Sequence, residues 1–331
     1  MRKDNGEGKM DTNPLNYVYS NRATRRRYEV WFLKVALADG SGAWWFRYLM
    51  TNPGRRQSDG SIGGCATLGT RPVQIWATWF PREGTPQSFI QGFPIEDLNL
   101  SAPGEPLQFQ RGENRVWHDG CAGRIEVDGH AISWDLRYRS TAGFSMSDVG
   151  WIGFSRTPHT DAVFEGEIVL DGRRFGGSPL GYGLQGHNCG FRHRHLWTWA
   201  HCLHRGESGA TTTFEALEYE IGLGIYFRRG LLWHEGTLHQ LKRFRTEYRD
   251  RGRMLWAFEC RDPKTGVLVR AEFDGSGTSL QRLPYTKTDC SGTFEVCNNS
   301  LAKANLIVNL PGKPELLIPV NSGAVLEVVG E

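Results

Sequence analysis

The sequence predicts an all-β protein made of two consecutive antiparallel β-barrels, on three observations. Short runs alternating apolar and polar residues recur along the chain, and no window longer than about ten residues holds a 3.6-residue period. The 41 glycines and the Asp-Gly pairs at 128–129, 171–172 and 274–275 punctuate these runs as hairpin turns do. Many short strands must hide their edges, closed barrels do so best, and 331 residues suit two of them.

In chain order the expected strands begin with Tyr28–Leu33, Trp44–Leu49 and Val73–Phe80. Arg124–Val127, Ala131–Tyr138 and Val163–Leu170 follow, then Thr213–Tyr219, Leu255–Cys260 and Val267–Phe273. Thr293–Val296, Ala304–Val308 and Ala324–Val328 complete the set. Each is rich in β-branched and aromatic residues and bounded by turn formers. The weakest pattern near the middle, 140–160, places a boundary at Pro158. The expected organisation is a flexible basic arm over 1–25, one barrel over 26–158 and a second over 159–331.

Lys and Arg number 39 and Asp and Glu 36, a balance that argues against a dedicated nucleic-acid binder. A 12% aromatic content argues against disorder. No apolar stretch approaches the length of a bilayer-spanning helix, and Met1–Asn13 lacks the apolar segment of a signal peptide, so a cytoplasmic protein is expected. The arm ends in Arg25-Arg26-Arg27; it reads as a solvated tail, with a peripheral membrane or phosphate contact as the alternative. The seven cysteines are odd in number, scattered and without C-x-x-C, so reduced thiols are expected.

Five of the ten histidines fall within 187–204. If 195–202 is a strand, His195, Trp197, Trp199 and His201 share one face. Imidazole can give or take a proton near neutral pH, and indole can stack on a polyene or face a cation. That pattern suits the wall of an apolar cavity supplied with a few polar groups. Gly186–Gly190 would be a tight loop aiming His187 and Asn188 at the wall. Satisfied core residues are the plainer reading at any single position. Zinc binding by His193, His195 and His201 matches no standard spacing, and Arg192-His193-Arg194 reads as an exposed basic turn. Near the start, alternation sets Tyr28, Val30 and Phe32 against Glu29, Trp31 and Leu33. Glu29 and Arg47, if both point inward, are each other's natural partner, either as a structural ion pair or as a polar anchor ringed by Trp31, Trp45 and Trp76. No nucleophile elbow, P-loop or dinucleotide fingerprint is present.

Tyr28-Glu29-Val30-Trp31 with Trp45-Phe46-Arg47-Tyr48 resembles the opening of the double-lipocalin (calycin) family, the relatives of tocopherol cyclase and carotenoid 1,2-hydratase, also called hydroxyneurosporene synthase. Gly186-His187-Asn188-x-Gly190 with Trp197-x-Trp199-Ala200-His201-Cys202 is similar to its central motif, and Val296-Cys297-Asn298-Asn299-Ser300-Leu301-Ala302 to its last strands. The resemblance implies two lipocalin-like barrels, a large hydrophobic substrate and no cofactor. Family enzymes hydrate or cyclise isoprenoids, and fungal decalin-forming Diels–Alderases share the build. In the hydratase motif an acid is the proposed proton donor; here its position is Gly186, its Tyr is Leu184 and its Trp is Cys189, which disfavours hydration by that route. The expected function is therefore a cyclase or isomerase acting on a hydrophobic isoprenoid or polyketide, with no cofactor, no metal and no nucleic-acid partner. His187, His195, His201 and Tyr182 are the proton-handling candidates. Asn188, Trp197, Trp199, Glu29, Trp31, Trp45, Arg47 and Trp76 are the substrate-binding candidates. A non-catalytic carrier of lipophiles is the rival reading.

Overall fold

The computed structural model describes residues 13–20, 27–52, 71–150, 152–206 and 209–330. Twelve strands form the first sheet: β1 (Arg27–Leu37), β2 (Gly42–Asn52), β3 (Val73–Pro81), β4 (Gln87–Phe93), β5 (Asn99–Leu100), β6 (Gln108–Arg111), β7 (Asn114–Trp117), β8 (Gly120–Val127), β9 (His130–Arg139), β10 (Phe144–Asp148), β11 (Gly153–Leu170) and β12 (Arg173–Gly190). Ten form the second: β13 (Trp197–Arg205), β14 (Thr211–Gly222), β15 (Ile225–His234), β16 (Thr237–Leu241), β17 (Arg243–Asp250), β18 (Leu255–Arg261), β19 (Leu268–Asp274), β20 (Gln281–Thr286), β21 (Thr293–Asn309) and β22 (Leu316–Val329). All pairings are antiparallel. The order is β4-β3-β2-β1-β12-β11-β9-β8-β7-β6-β5 in one sheet and β16-β15-β14-β13-β22-β21-β19-β18-β17 in the other, with β10 on β11 and β20 on β21. Each sheet curls on itself, β4 meeting β8 and β15 meeting β17. Two all-β lipocalin-like barrels result.

The chain leaves the first sheet at Gly190, not near Pro158, which lies within β11. The long hairpin β11–β12 closes the first barrel against β1 and β9 instead of opening the second. The expected loop at Gly186–Gly190 is likewise the end of β12. Glycine explains the close pairing there: a Cβ at Gly183 would lie 1.8 Å from the Lys34 carbonyl oxygen. The weak pattern over 140–160 reflects the irregular register of β10 and β11, not a linker. Asp128-Gly129 and Asp171-Gly172 both have positive φ and make the expected two-residue turns.

The expected arm divides. Residues 1–12 and 21–26 lie outside the described residues, whereas 13–20 pack across one end of the first barrel. Asn16 is buried and its Nδ2 donates to the Gln185 side-chain Oε1 at 3.0 Å, and the Tyr19 and Ser20 amides donate to Glu29 at 2.8 and 2.6 Å. Cys290 is disulfide-bonded, which corrects the expectation of seven reduced thiols; Cys65 lies outside the described residues.

Each barrel has its own core, one around Trp31, Trp44, Phe46 and Trp134, the other around Phe214, Trp256, Phe258 and Phe273. A third cluster joins them: Phe32, Trp45, Phe80 and Leu184 from the first barrel meet Trp199, Leu217 and Val325 from the second. This explains the almost unbroken apolar run of β1. One face looks into its barrel and the other is covered by the second barrel, so both must be apolar.

Candidate functional site

The space between the barrels is not completely filled. A cavity of about 330 Å³ remains, walled on one side by the outer face of β1 and β2 and on the other by the outer faces of β13, β14 and β22. Pairing dictates this geometry. On β1, Tyr28, Val30 and Phe32 point outward, and Arg47 lies directly across from Phe32. On β13, Trp197 and Trp199 point outward, across from Tyr219 and Leu217 on β14 and from Val329 and Glu327 on β22.

Phe32, Trp45, Trp197, Trp199 and Tyr219 make the apolar wall. Phe32 stacks on Trp45 at 5.1 Å and meets Trp199 edge-on at 5.7 Å. Polar side chains, Arg192 and Arg194 among them, line the rest, and several buried polar atoms lack partners. Arg47 is 3% exposed, with its guanidinium carbon 3.6 Å from the Tyr285 ring centre and 4.6 Å from that of Trp76; its Nη1 has no hydrogen bond. Asn188 Oδ1 and His193 Nε2 are also buried without partners. His193 stacks on Tyr28 at 3.9 Å; burial and then Arg47 push its pKa down to about 3, so the ring is neutral. Glu327 accepts hydrogen bonds from Trp197 Nε1 at 3.2 Å, Tyr285 Oη at 2.8 Å and Asn298 Nδ2 at 3.2 Å. Burial nevertheless raises its pKa, outweighing Arg47 and these donors.

Of the sequence-predicted residues, Asn188, Trp197, Trp199, Trp45 and Arg47 line this cavity, and Trp76 backs Arg47. Others lie elsewhere. Glu29 and Trp31 point into the first barrel, so Glu29 does not meet Arg47; its partner is His187, with Nε2 at 2.8 Å from Oε1, both side chains fully buried. His187 Nδ1 lies 3.0 Å from the Leu15 carbonyl oxygen and its ring stacks on Trp31 at 4.9 Å. His201 is on the face of Trp197 and Trp199 but deeper between the barrels. Its Nε2 meets the Thr160 carbonyl oxygen at 2.9 Å, and burial and Lys34 push its pKa down to about 3. His195 precedes β13 and is exposed. Tyr182 borders a separate polar hollow, with the Arg205 guanidinium 4.7 Å from its ring centre. His193, read as part of an exposed turn, instead folds back onto Tyr28. Among the described residues no group of three His, Cys, Asp or Glu side chains could hold a metal, and no helix is long and apolar enough to cross a membrane.

Tyr219, Tyr285 and Glu327 are among the cavity residues that strand patterning did not single out as site candidates, and Tyr28 was placed by it only on a face. Alternation did set Tyr28 with Phe32, but nothing local marks the outer face of β22. The motif position without its acid is sterically tight: a Cβ at Gly186 would lie 2.1 Å from Phe32 Cζ, so a side chain there requires the Phe32 ring to move.

No family model matches the chain, and no curated protein does. Among solved structures, CghA in complex with Sch210972 superposes with a TM-score of 0.58 at 11% identity, over 92% of this chain and 88% of CghA. Kievitone hydratase from Nectria haematococca gives 0.54 at 12% identity, over 96% of this chain and 94% of the hydratase. The chain has the double-lipocalin fold. Covering almost the full length of both proteins, the likeness includes both barrels and their order, while identities this low extend to the fold alone.

Proposed function

We propose that this double-lipocalin protein is a cofactor-independent cyclase or isomerase, acting on an isoprenoid- or polyketide-like substrate held between its barrels. The observation that carries this reading is the set of unpartnered buried polar atoms, Arg47 Nη1, Asn188 Oδ1 and His193 Nε2, in a cavity with an aromatic wall. Buried polar atoms are ordinarily hydrogen-bonded, and an oxygenated ligand head would satisfy these. The cavity volume sits at the low end for small-molecule pockets, so it takes a medium-sized molecule or the reacting segment of a longer one.

In this reading the aromatic walls fold the substrate so that its reacting carbons meet, which removes most of the entropic barrier to ring closure. Arg47 holds a carbonyl or enolate oxygen and stabilises the negative charge that develops on it. Glu327, whose pKa burial raises, lends a proton at one carbon and recovers one from another, so that no atoms are gained or lost. Kievitone hydratase carries a hydratase name on the same fold. Glu327 stands on β22, away from the Gly186 position, so any acid chemistry here starts from a different wall.

Incubation with extracts of the source cells, read by untargeted mass spectrometry, tests this. The expected result is a product of unchanged mass and altered retention, lost with Arg47→Met and Glu327→Gln. A product heavier by one water would indicate a hydratase, and a bound molecule released unchanged would indicate a carrier.

A further inference from the structure

The hairpin joining β14 to β15 ends in an aliphatic knob. Ile221, Leu223 and Ile225 are 56%, 100% and 61% exposed. Leu223 helps neither packing nor the turn. Its φ of +54° lies in the left-handed region, which Asn or Gly enters easily and a bulky side chain does not. Folding alone would not place a leucine there.

Beneath the knob lies a collar of arginines. The guanidinium carbons of Arg228 and Arg249 stand 5.1 and 5.3 Å from the ring centre of Tyr226, the residue after Ile225. Both converge with Arg251 on the buried carboxylate of Glu218, one negative charge against three positive, and Arg251 Nε and Nη2 have no hydrogen bond. The segments 218–229 and 247–253, which meet at this end of the second barrel, together hold five arginines and four acidic residues, a small positive excess. The knob is also close to the cavity: Tyr219 lines it and stacks on Phe227 at 4.8 Å, and the exposed Val149 and Ile152 stand at the same opening.

We propose that this end of the second barrel docks on an anionic lipid bilayer. The three aliphatic side chains enter the interface, Arg228 and Arg249, the more exposed members of the collar, pair with lipid headgroup anions while their stems follow the apolar layer, and the cavity opening is presented to the surface from which an apolar molecule would enter. A narrow aliphatic tip with a cationic collar complements a soft, negatively charged surface. The proposal holds whether the cavity converts its ligand or only carries it.

Co-sedimentation of the full chain with vesicles tests it, using phosphatidylcholine alone against equal parts phosphatidylcholine and phosphatidylserine. Each collar charge near an anionic surface is worth about fivefold in affinity, so the mixed vesicles should bind at least about tenfold more tightly, and less so at high salt. Leu223→Asn with Ile225→Thr suits the turn and should leave the melting temperature unchanged while weakening vesicle binding about tenfold or more. Four results would overturn the proposal: no vesicle binding by the wild type, equal binding to both compositions, undiminished binding by the folded double variant, or a knob-dependent dimer that ignores vesicles.

Discussion

Replacing Arg47 by methionine should make the protein more stable and less able to hold its ligand. Burial strips the guanidinium of several kcal/mol of hydration, and its Nη1 makes no hydrogen bond in return. The Tyr285 and Trp76 faces, at 3.6 and 4.6 Å, return about 1–2 kcal/mol each. Glu327 interacts with the guanidinium, but its own burial, the larger effect on its pKa, offsets part of what that interaction returns. The net penalty is about 1–3 kcal/mol, and methionine of similar length removes it. For a chain of this size the melting temperature should rise by about 1–4 °C. Calorimetry of both proteins, with and without ligand, measures the gain and the lost ligand-induced shift together. A variant that melts several degrees lower, or that is stabilised by ligand as fully as the wild type, would refute the reasoning and make Arg47 a structural residue.

The other predictions concern the groups that hold the site in place. Glu29→Ala strands His187 and the Tyr19 and Ser20 amides inside the first barrel, so urea unfolding should show a loss of about 3–5 kcal/mol, with ligand affinity of the folded fraction unchanged. Glu215, hydrogen-bonded by Trp199 Nε1 and Thr157 Oγ1, is pushed up by burial from 4.5 to about 7. The unfolded chain therefore loses this proton first, and stability should fall by up to about 3 kcal/mol as pH rises from about 4.5 to 7, a decline that Glu215→Gln flattens. Lys34, between the barrels, is lowered by burial from 10.5 to about 7, so its contribution has the opposite slope. Stability should be lost as pH falls from about 10.5 to 7, and Lys34→Met should remove that slope in pH-dependent melts. Gly186→Ala sets a methyl against the Phe32 ring and should destabilise by about 1–3 kcal/mol in the same unfolding assay, while reducing ligand binding through the displaced wall.

Strand alternation made much of this architecture legible. It separated Tyr28, Val30 and Phe32 from Glu29 and Trp31, and it put Trp197 and Trp199 on one face, because a strand's two-residue period does not depend on what covers it. What covers each face is a long-range matter. Glu29 meets His187, 158 residues away, and Arg47 meets Tyr285, so neither partner is visible in any local pattern. The same limit explains why the aromatic rows line the space between two barrels and not the interior of one. It also explains the displaced boundary: β11 and β12 look like any other hairpin, and only their pairing with β1 and β9 assigns them to the first sheet. Glu327 escaped notice because a single acid in an apolar strand looks like an exposed residue until the opposing barrel buries it.

The most direct test of the account is the position of a bound ligand. A crystal structure of the protein with the molecule that co-purifies with it, or with a soaked substrate, should place that molecule between the barrels. Its aliphatic part should lie against Trp45, Trp197 and Trp199, with an oxygen within hydrogen-bonding distance of Arg47. Density for the ligand inside either barrel, or a gap between the barrels closed by repacked side chains, would contradict it.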